Sequence, residues 1–354
     1  MRMKSTNTIN RLPAEWEKHE ATWIAWPHNK ADWPGKFIPI TWVYVEIVKK
    51  ISEGEKVRIV VNSAAHKQKA LKALTDSNVD LSNVEFFIFN TDRGWTRDSG
   101  PIFVRSKITE KLNLIHFKFN AWAKYNKFNK DKKLPEFISR VTGIPSIKAI
   151  YKNSHVVLEG GAIDSNGEGV LLTTEECLLD SKTQVRNKNF TKEDYEKIFY
   201  QYLGINQVIW LGKGIAGDDT HGHVDDICRF VDENTVVLSA EQNPYDYNYK
   251  VLKENKERLD SIKLSNGKKL NIINLPMPSP IIFKGQRLPV SYANFYICNS
   301  YVLVPTFNDV NDKDALGILS EVFSDRKVVG IHAIDLVWGL GTLHCLTHEQ
   351  PANY

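Results

Sequence analysis

The chain has 354 residues, 42% of them apolar and 25% charged, with a formal net charge of +4. This composition is ordinary for a globular protein with a full core. Its small, dispersed charge argues against a nucleic-acid partner, and no apolar run approaches the ~20 residues of a membrane span.

Lysine runs such as 129–134 (NKDKKL) read as solvated loops. The basic N-terminal stretch has no apolar region behind it, so a secretory leader is not expected. Cys177, Cys228, Cys298 and Cys345 lie far apart with no CxxC pair, which points away from a disulfide framework and a structural zinc site. A reduced, cytoplasmic protein is the expectation.

In chain order, the spacing near 3.6 at 40–54 predicts a helix ending on Gly54, and 64–77 looks similar. Short β-branched or aromatic runs bounded by Gly, Pro, Asn and Asp predict strands at 56–61, 84–89, 101–105, 114–119, 156–158 and 169–175. A helix at 191–204 should start from a Thr191 cap with Asp194 at N3 and stop on Gly204. Further strands follow at 207–211, 234–240, 271–275, 299–307 and 327–334. Strands and helices alternate without a long linker, so one α/β domain over 1–354 is expected.

A weak repeat runs through this pattern. Hairpins turn at SNGEG in 158–179, at DENT in 223–240 and at CNS in 293–309. WTRDSGPIFVRSKITEKLNLIHF offers a fourth copy with a longer turn, and the LHCLTH tail a truncated fifth. Such modules arranged about an axis would each present the start of a first strand to a common centre. The polar clusters at those starts are Trp95-Thr96-Arg97-Asp98, Glu159-Gly160-Gly161, Asp218 to Asp225, and His344-Cys345.

Converging carboxylates, imidazoles and a thiol make a site for a cation attacked by sulfur. A guanidinium offers five donors that two carboxylates can grip bidentately. Its carbon is a poor electrophile, which favours a thiolate nucleophile and a His that protonates departing ammonia and later activates water. No cofactor or metal is required by this chemistry.

With these residues in view, WTRDSGP, LEGGAIDSNGEGVLLTTEECLL, GDDTHGHVDDICRF and LHCLT resemble the agmatine deiminases, grouped with the bacterial-type (Porphyromonas-type) peptidylarginine deiminases among the guanidino-group-modifying enzymes. The ordered set is specific, and the likeness begins at LPAEWEKHEATWIAWPHN. It implies a pentein-like α/β fold, a five-bladed pseudo-symmetric propeller of ββαβ modules. It also implies an agmatine-hydrolysing enzyme that yields N-carbamoylputrescine and ammonia for putrescine biosynthesis, with Cys345 as nucleophile and His223 as general acid and base. Asp98 and Asp225 would clamp the guanidinium. Glu159 would sit near the His or the substrate chain, Trp95 would pack on that chain, and Asp219 would meet the distal amine or order His223. The family usually carries a glycine triplet, Asn and Ile where this chain reads GLGTLHC, so Leu340 and Thr342 depart from its pattern. It commonly has Asn where His221 or Asp226 stands here.

Blander readings compete. Cys177, Cys228 and Cys298 are expected to be inert core residues, Asp98 could be a turn residue paired with Arg97, and His221 an exposed turn residue. Most of the Trp residues other than Trp95 are expected in the core. Arginine or peptidyl-arginine is the nearest alternative substrate. More remote is a zinc hydrolase using His221, His223 and Asp225, with His332, His344 or His348 as further ligands. A non-catalytic binding propeller is the third class. The expected partner is a small cationic guanidino substrate rather than nucleic acid or membrane, and a homo-oligomer is the default state.

Overall fold

The structure, a computed structural model, describes residues 10–353. Among them, five sheets share one build, an antiparallel hairpin followed by a helix and a strand parallel to the hairpin's second arm. Hairpin Ile102–Ser106 with Leu112–His116 leads through helix Leu134–Thr142 to Ser146–Lys148. Asp164–Ser165 with Val170–Thr174 leads through helix Lys192–Ile198 to Gln207–Leu211. Cys228–Asp232 with Thr235–Ala240 leads through Tyr247–Asp260 to Asn271–Pro276. Tyr296–Ile297 with Tyr301–Thr306 leads through Asp312–Val322 to Lys327–His332.

The fifth unit joins the chain's two ends. Strand Thr347–Pro351 pairs antiparallel with His19–Ala25, which leads through helix Phe37–Ser52 to the parallel strand Lys56–Val61. The tail is therefore the first arm of a hairpin whose second arm lies more than three hundred residues earlier. Trp23 Nε1 donates to Gln350 Oε1 at 3.0 Å across that closure.

Helix Phe37–Ser52 shows why such a unit holds. Ile40, Tyr44, Ile47, Val48 and Ile51 recur at helical spacing and are buried in one cluster with Val57 and Ile59 of the adjacent strand. Each such aliphatic side chain contributes about 1.5–3 kcal/mol of transfer free energy, so a charge at Ile47 would break the layer. The predicted capping box is present on helix Lys192–Ile198, where Thr191 and Asp194 bond each other's backbone amides. A π-turn at Phe199–Leu203 then ends on Gly204 at φ 75°.

Two segments depart from the sequence pattern. Residues 156–158 form no strand; a tight hairpin of Ile150–Tyr151 and Ser154–His155 precedes them, and only Val157 makes a bridge, to Lys118. Strand His19–Ala25 carries no strand signal because nearly all of it is buried, which removes the polar–apolar alternation. Among the described residues, no helix is long and apolar enough to cross a membrane.

Candidate active site

Four of the five units enter their first strand through a one-turn helix with polar side chains on it or immediately before it. These turns are Thr96–Ser99, Gly160–Ala162, Val224–Asp226 and Leu343–Leu346. Cys345 thus sits just before the final strand rather than in it. The remaining unit contributes Asn294 from the segment leading into Tyr296. The turns meet one another: Gly161 N donates to Asp98 Oδ1 at 3.1 Å, and Asp225 receives His344 Nδ1 at 2.7 Å.

Cys345 is buried. Its sulfur accepts from Asn294 Nδ2 at 3.3 Å and lies 4.0 Å from Asp225 Oδ2. Asn294 is itself fixed: its Nδ2 donates to Asp226 Oδ1 at 2.9 Å and its Oδ1 accepts from Thr342 Oγ1 at 2.7 Å. Burial, then the neighbouring carboxylates with Asp225 foremost, hold the thiol well above its ordinary pKa. A cation entering between those carboxylates offsets their repulsion of a thiolate.

His223 stands between two carboxylates. Nδ1 is 3.8 Å from Asp98 Oδ1 and Nε2 is 3.9 Å from Glu159 Oε2. Burial disfavours its charge, but Asp98, Cys177 and Glu159 together outweigh burial and raise its pKa well above the usual value. Glu159 suffers the same burial, yet Arg186 and then His223 bring it down to about 2. Arg186 Nε donates to Glu159 Oε1 at 3.0 Å, so this carboxylate is oriented from behind. Asp98 does not pair with Arg97, which reaches Glu15 and Glu349 instead. Its Oδ2 accepts from Trp122 Nε1 at 2.9 Å.

Asp225 is held by a chain of ionic contacts reaching to the N-terminal segment. His344 Nδ1 meets Asp225 Oδ2 and its Nε2 meets Glu15 Oε2, both at 2.7 Å, an arrangement in which an imidazolium donates on both sides. Arg229 Nη2 lies 2.9 Å from the other oxygen of Glu15. Burial opposes the charge on Asp225, and His344 nevertheless lowers its pKa. Its Oδ1 is buried without a hydrogen-bond partner, an acceptor available to a ligand.

A cavity of about 100 Å³ opens onto Cys345 and Asp98, with Trp95, Trp122, Leu340 and Gly341 in its wall and Asp32, Tyr125 and Asp219 further along. Trp95 is where its motif put it. Trp122, expected in the core, lines the same cavity from a run of three left-handed residues, Ala121, Trp122 and Ala123, at φ 52–57°. Such strain in non-glycine residues clusters at functional sites. Leu340 also has positive φ, at 68°, a backbone conformation that glycine adopts at no steric cost. Asp219 does not order His223; it takes Tyr125 OH at 2.7 Å and pairs with Lys124. Asp32 is bound by Arg93 at 2.6 Å through one oxygen, and its other oxygen is buried without a partner. Burial, opposed by Arg93, pushes Asp32 up to about 7.

The zinc arrangement is not formed. His221, half-buried in a turn at φ 66°, bonds Asp180 at 2.8 Å, while Asp225 belongs to His344. Of its further candidate ligands, His344 bridges the two carboxylates, His348 Nε2 contacts the Pro101 carbonyl, and His332 is exposed. Glu15, Asp32, Arg186 and Asn294 were not singled out in the sequence, and Trp122 was read only as a core residue. Asn294 carried the one usable signal, since Ala293-Asn294 immediately precedes a predicted hairpin, as the other site turns do.

Residues 11–351 match the model of the Porphyromonas-type peptidyl-arginine deiminases. The agmatine deiminase of Ectopseudomonas mendocina is 32% identical, the match covering 96% of this chain and 95% of that protein. A solved structure of the agmatine deiminase of Enterococcus faecalis superposes with a TM-score of 0.88 at 28% identity, covering 98% of this chain and 97% of that one. The substrate-bound agmatine deiminase of C. jejuni gives 0.86 at 28% identity, with 99% of each chain covered. These likenesses place the mixed α/β fold among the penteins, and the chain belongs to the Porphyromonas-type peptidyl-arginine deiminase family.

Proposed function

We propose that this chain is an agmatine deiminase, hydrolysing the guanidinium of agmatine to N-carbamoylputrescine and ammonia through a covalent intermediate on Cys345. The observation that carries the reading is the convergence of Cys345, His223 and the carboxylates Asp98 and Asp225 at one end of a Trp-walled cavity. The relatives named above are agmatine deiminases, which supports the same substrate.

In this reading Asp98 and the free oxygen of Asp225 grip the guanidinium nitrogens. The arriving cation lowers the cost of ionising Cys345, whose proton leaves to solvent. The thiolate adds to the guanidinium carbon, and the tetrahedral adduct takes a proton from the His223 imidazolium onto one amino group. Ammonia departs and leaves an amidinium thioether. The neutral imidazole then removes a proton from water as its oxygen adds to that carbon. The C–S bond breaks, the adduct's hydroxyl gives up its remaining proton to solvent as the urea product forms, and Cys345 leaves as thiolate.

The substrate's methylenes would run along Trp95 and Trp122 towards Asp32 and Asp219. The free oxygen of Asp32 suits an ammonium, whereas arginine would bring its α-carboxylate against two acids whose cations, Arg93 and Lys124, are already paired. The repeated units support a five-bladed propeller around this site, forming a single catalytic domain over 1–354. Four free, buried cysteines fit a reducing compartment such as the cytoplasm.

The test is ammonia release from agmatine, arginine and an arginine peptide, with mass spectrometry of the Cys345 peptide after trapping. Release from agmatine with an adduct on Cys345 is expected. Turnover of the peptide alone would keep the chemistry and overturn the substrate; no adduct on Cys345 would overturn the mechanism.

A further inference from the structure

Cys177, expected to be inert, is not surrounded by apolar atoms alone. Its Sγ, a ring nitrogen of His223 and a carboxylate oxygen of Glu159 all lie within 4.8 Å of one another, and His223 turns Nε2 towards Glu159 and Nδ1 towards Asp98. All three residues are at least 98% buried. His223 Nε2 and Glu159 Oε2 are moreover buried without hydrogen-bond partners. Two such orphaned polar atoms aimed at the same small volume carry an unmet desolvation cost. The reaction proposed above uses the other face of the ring and gives Cys177 no chemical role.

Thiolate, imidazole and carboxylate are together the donor set of a borderline-soft divalent cation. Around tetrahedral zinc, with bonds of roughly 2.0–2.3 Å, donor atoms stand about 3.3–3.7 Å apart. The Nε2–Oε2 separation of 3.9 Å is already near that span, and side-chain shifts of about an ångström would bring in the sulfur. The supporting contacts suit a ligand set: Thr174 caps the turn carrying Cys177, and Arg186 holds the remaining oxygen of Glu159. The charge on Arg186 opposes a cation, but two acidic ligands and nearby Asp98 outweigh it.

We propose that Glu159, Cys177 and His223 form an inhibitory site for a thiophilic divalent cation, represented by Zn²⁺. Binding displaces the thiol proton of Cys177 and any proton on Nε2 to solvent. It pins His223 as a ligand, so the ring can no longer cycle between imidazolium and imidazole. The inhibition rests on the deiminase reading; the binding does not.

Calorimetric titration of the full chain with Zn²⁺ separates the two. In Cys345→Ala, which removes the rival thiol, one site should remain, and it should weaken on the order of 100-fold when Cys177→Ala is added. Co²⁺ bound to Cys345→Ala should show a near-ultraviolet sulfur-to-cobalt charge-transfer band, a readout independent of whether the Cys177 variant folds. Wild-type ammonia release from agmatine should fall as Zn²⁺ is added and recover with a chelator. Loss of binding in Cys345→Ala, or absence of the cobalt band there, would overturn the site. Binding with these signatures but without inhibition would overturn the inhibitory role, and a protein inactive on every guanidino substrate would still report on the site through calorimetry and the cobalt band.

Discussion

A Cβ added to Gly161 would lie 2.6 Å from His223 Nδ1, and 3.0 Å from both Asp225 Oδ2 and Asp98 Oδ1. Residue 161 is therefore the floor on which the imidazole and the carboxylates of Asp98 and Asp225 rest. Gly161→Ala must push at least one of them outward, and displacement of a reacting group by about an ångström can cost on the order of 100-fold in rate. We expect kcat to fall by about that factor while the melting temperature changes by only a few degrees. Near-normal kcat would mean that these three groups do not act together.

The pH profile follows from the directions of two shifts. Cys345 is raised by burial and the carboxylates around it, so the reactive thiolate gains population as pH rises. His223 is raised because Asp98, Cys177 and Glu159 outweigh burial, so the imidazolium survives past its usual pKa and is lost only at higher pH. The kcat/KM profile should be a bell with its maximum on the alkaline side of neutrality. Asp225→Asn removes the nearest charge that opposes the thiolate. The pH midpoint for alkylation of Cys345 by iodoacetamide should then move down, even as turnover drops by several kcal/mol of lost guanidinium binding. An unmoved midpoint would detach Asp225 from the thiol.

The candidate residues were legible because most of them sit in local motifs at hairpin entrances. Asp98, Glu159, His223 and Asp225 each precede a strand whose hairpin partner is a few residues away, so the repeat exposed them, whereas Cys345 precedes a strand paired at the other end of the chain and was marked by its LHCLT motif. What escaped depends on distant pairings. Glu15 reaches His344 across a sequence separation of 329, and His19–Ala25 finds its hairpin partner at the other terminus. Asp219 lines the cavity, but its pairing with Lys124 and Tyr125 comes from a loop with no periodic signal. Trp122 reads as core from its type alone; only its left-handed backbone and its bond to Asp98 reveal it as part of the wall.

The resemblance to the agmatine deiminases implies an Asn at either His221 or Asp226, and at Asp226 the structure gives a reason why Asp and Asn are exchangeable. Burial and the neighbouring Asp225 push its pKa well above the ordinary carboxylate value, which favours the neutral acid, a group of nearly the shape of an amide. It accepts from Asn294, which in turn touches Cys345. Asp226→Asn should keep kcat/KM within a few-fold at neutral pH. Asp226→Ala leaves Asn294 unsupported and should cost about 1–3 kcal/mol in transition-state stabilisation. Steady-state kinetics on agmatine distinguish the two; equal losses would mean that the charge on Asp226 matters.

His344 keeps Asp225 ionised while touching no part of the cavity wall. Replacing it with Asn leaves Glu15 and Asp225 as buried carboxylates without their shared cation, a loss of about 3–5 kcal/mol. Because Asp225 is freed to protonate, the expected signature is a KM for agmatine that rises more steeply on acidification than in the parent protein. A purely structural role would lower the yield of folded protein without changing that slope.

The closure between the chain ends carries its own pH dependence. His19 Nδ1 lies 3.1 Å from Glu55 Oε1, with both side chains buried. Burial opposes the imidazolium, but Glu55, then Glu349 and Glu15, raise its pKa to about 9. Since the folded value exceeds the unfolded one, near 6.5, this pair stabilises the fold fully below pH 6.5. The contribution is lost as pH rises through about 9. A shift of this size corresponds to a few kcal/mol, so the melting temperature should decline by several degrees across that window. In Glu55→Gln the fold should be weaker at low pH and the decline flatter, because the partner that raises His19 is gone. A parent protein whose melting temperature stays level from pH 6.5 to 9 would show that the chain termini are held by packing alone.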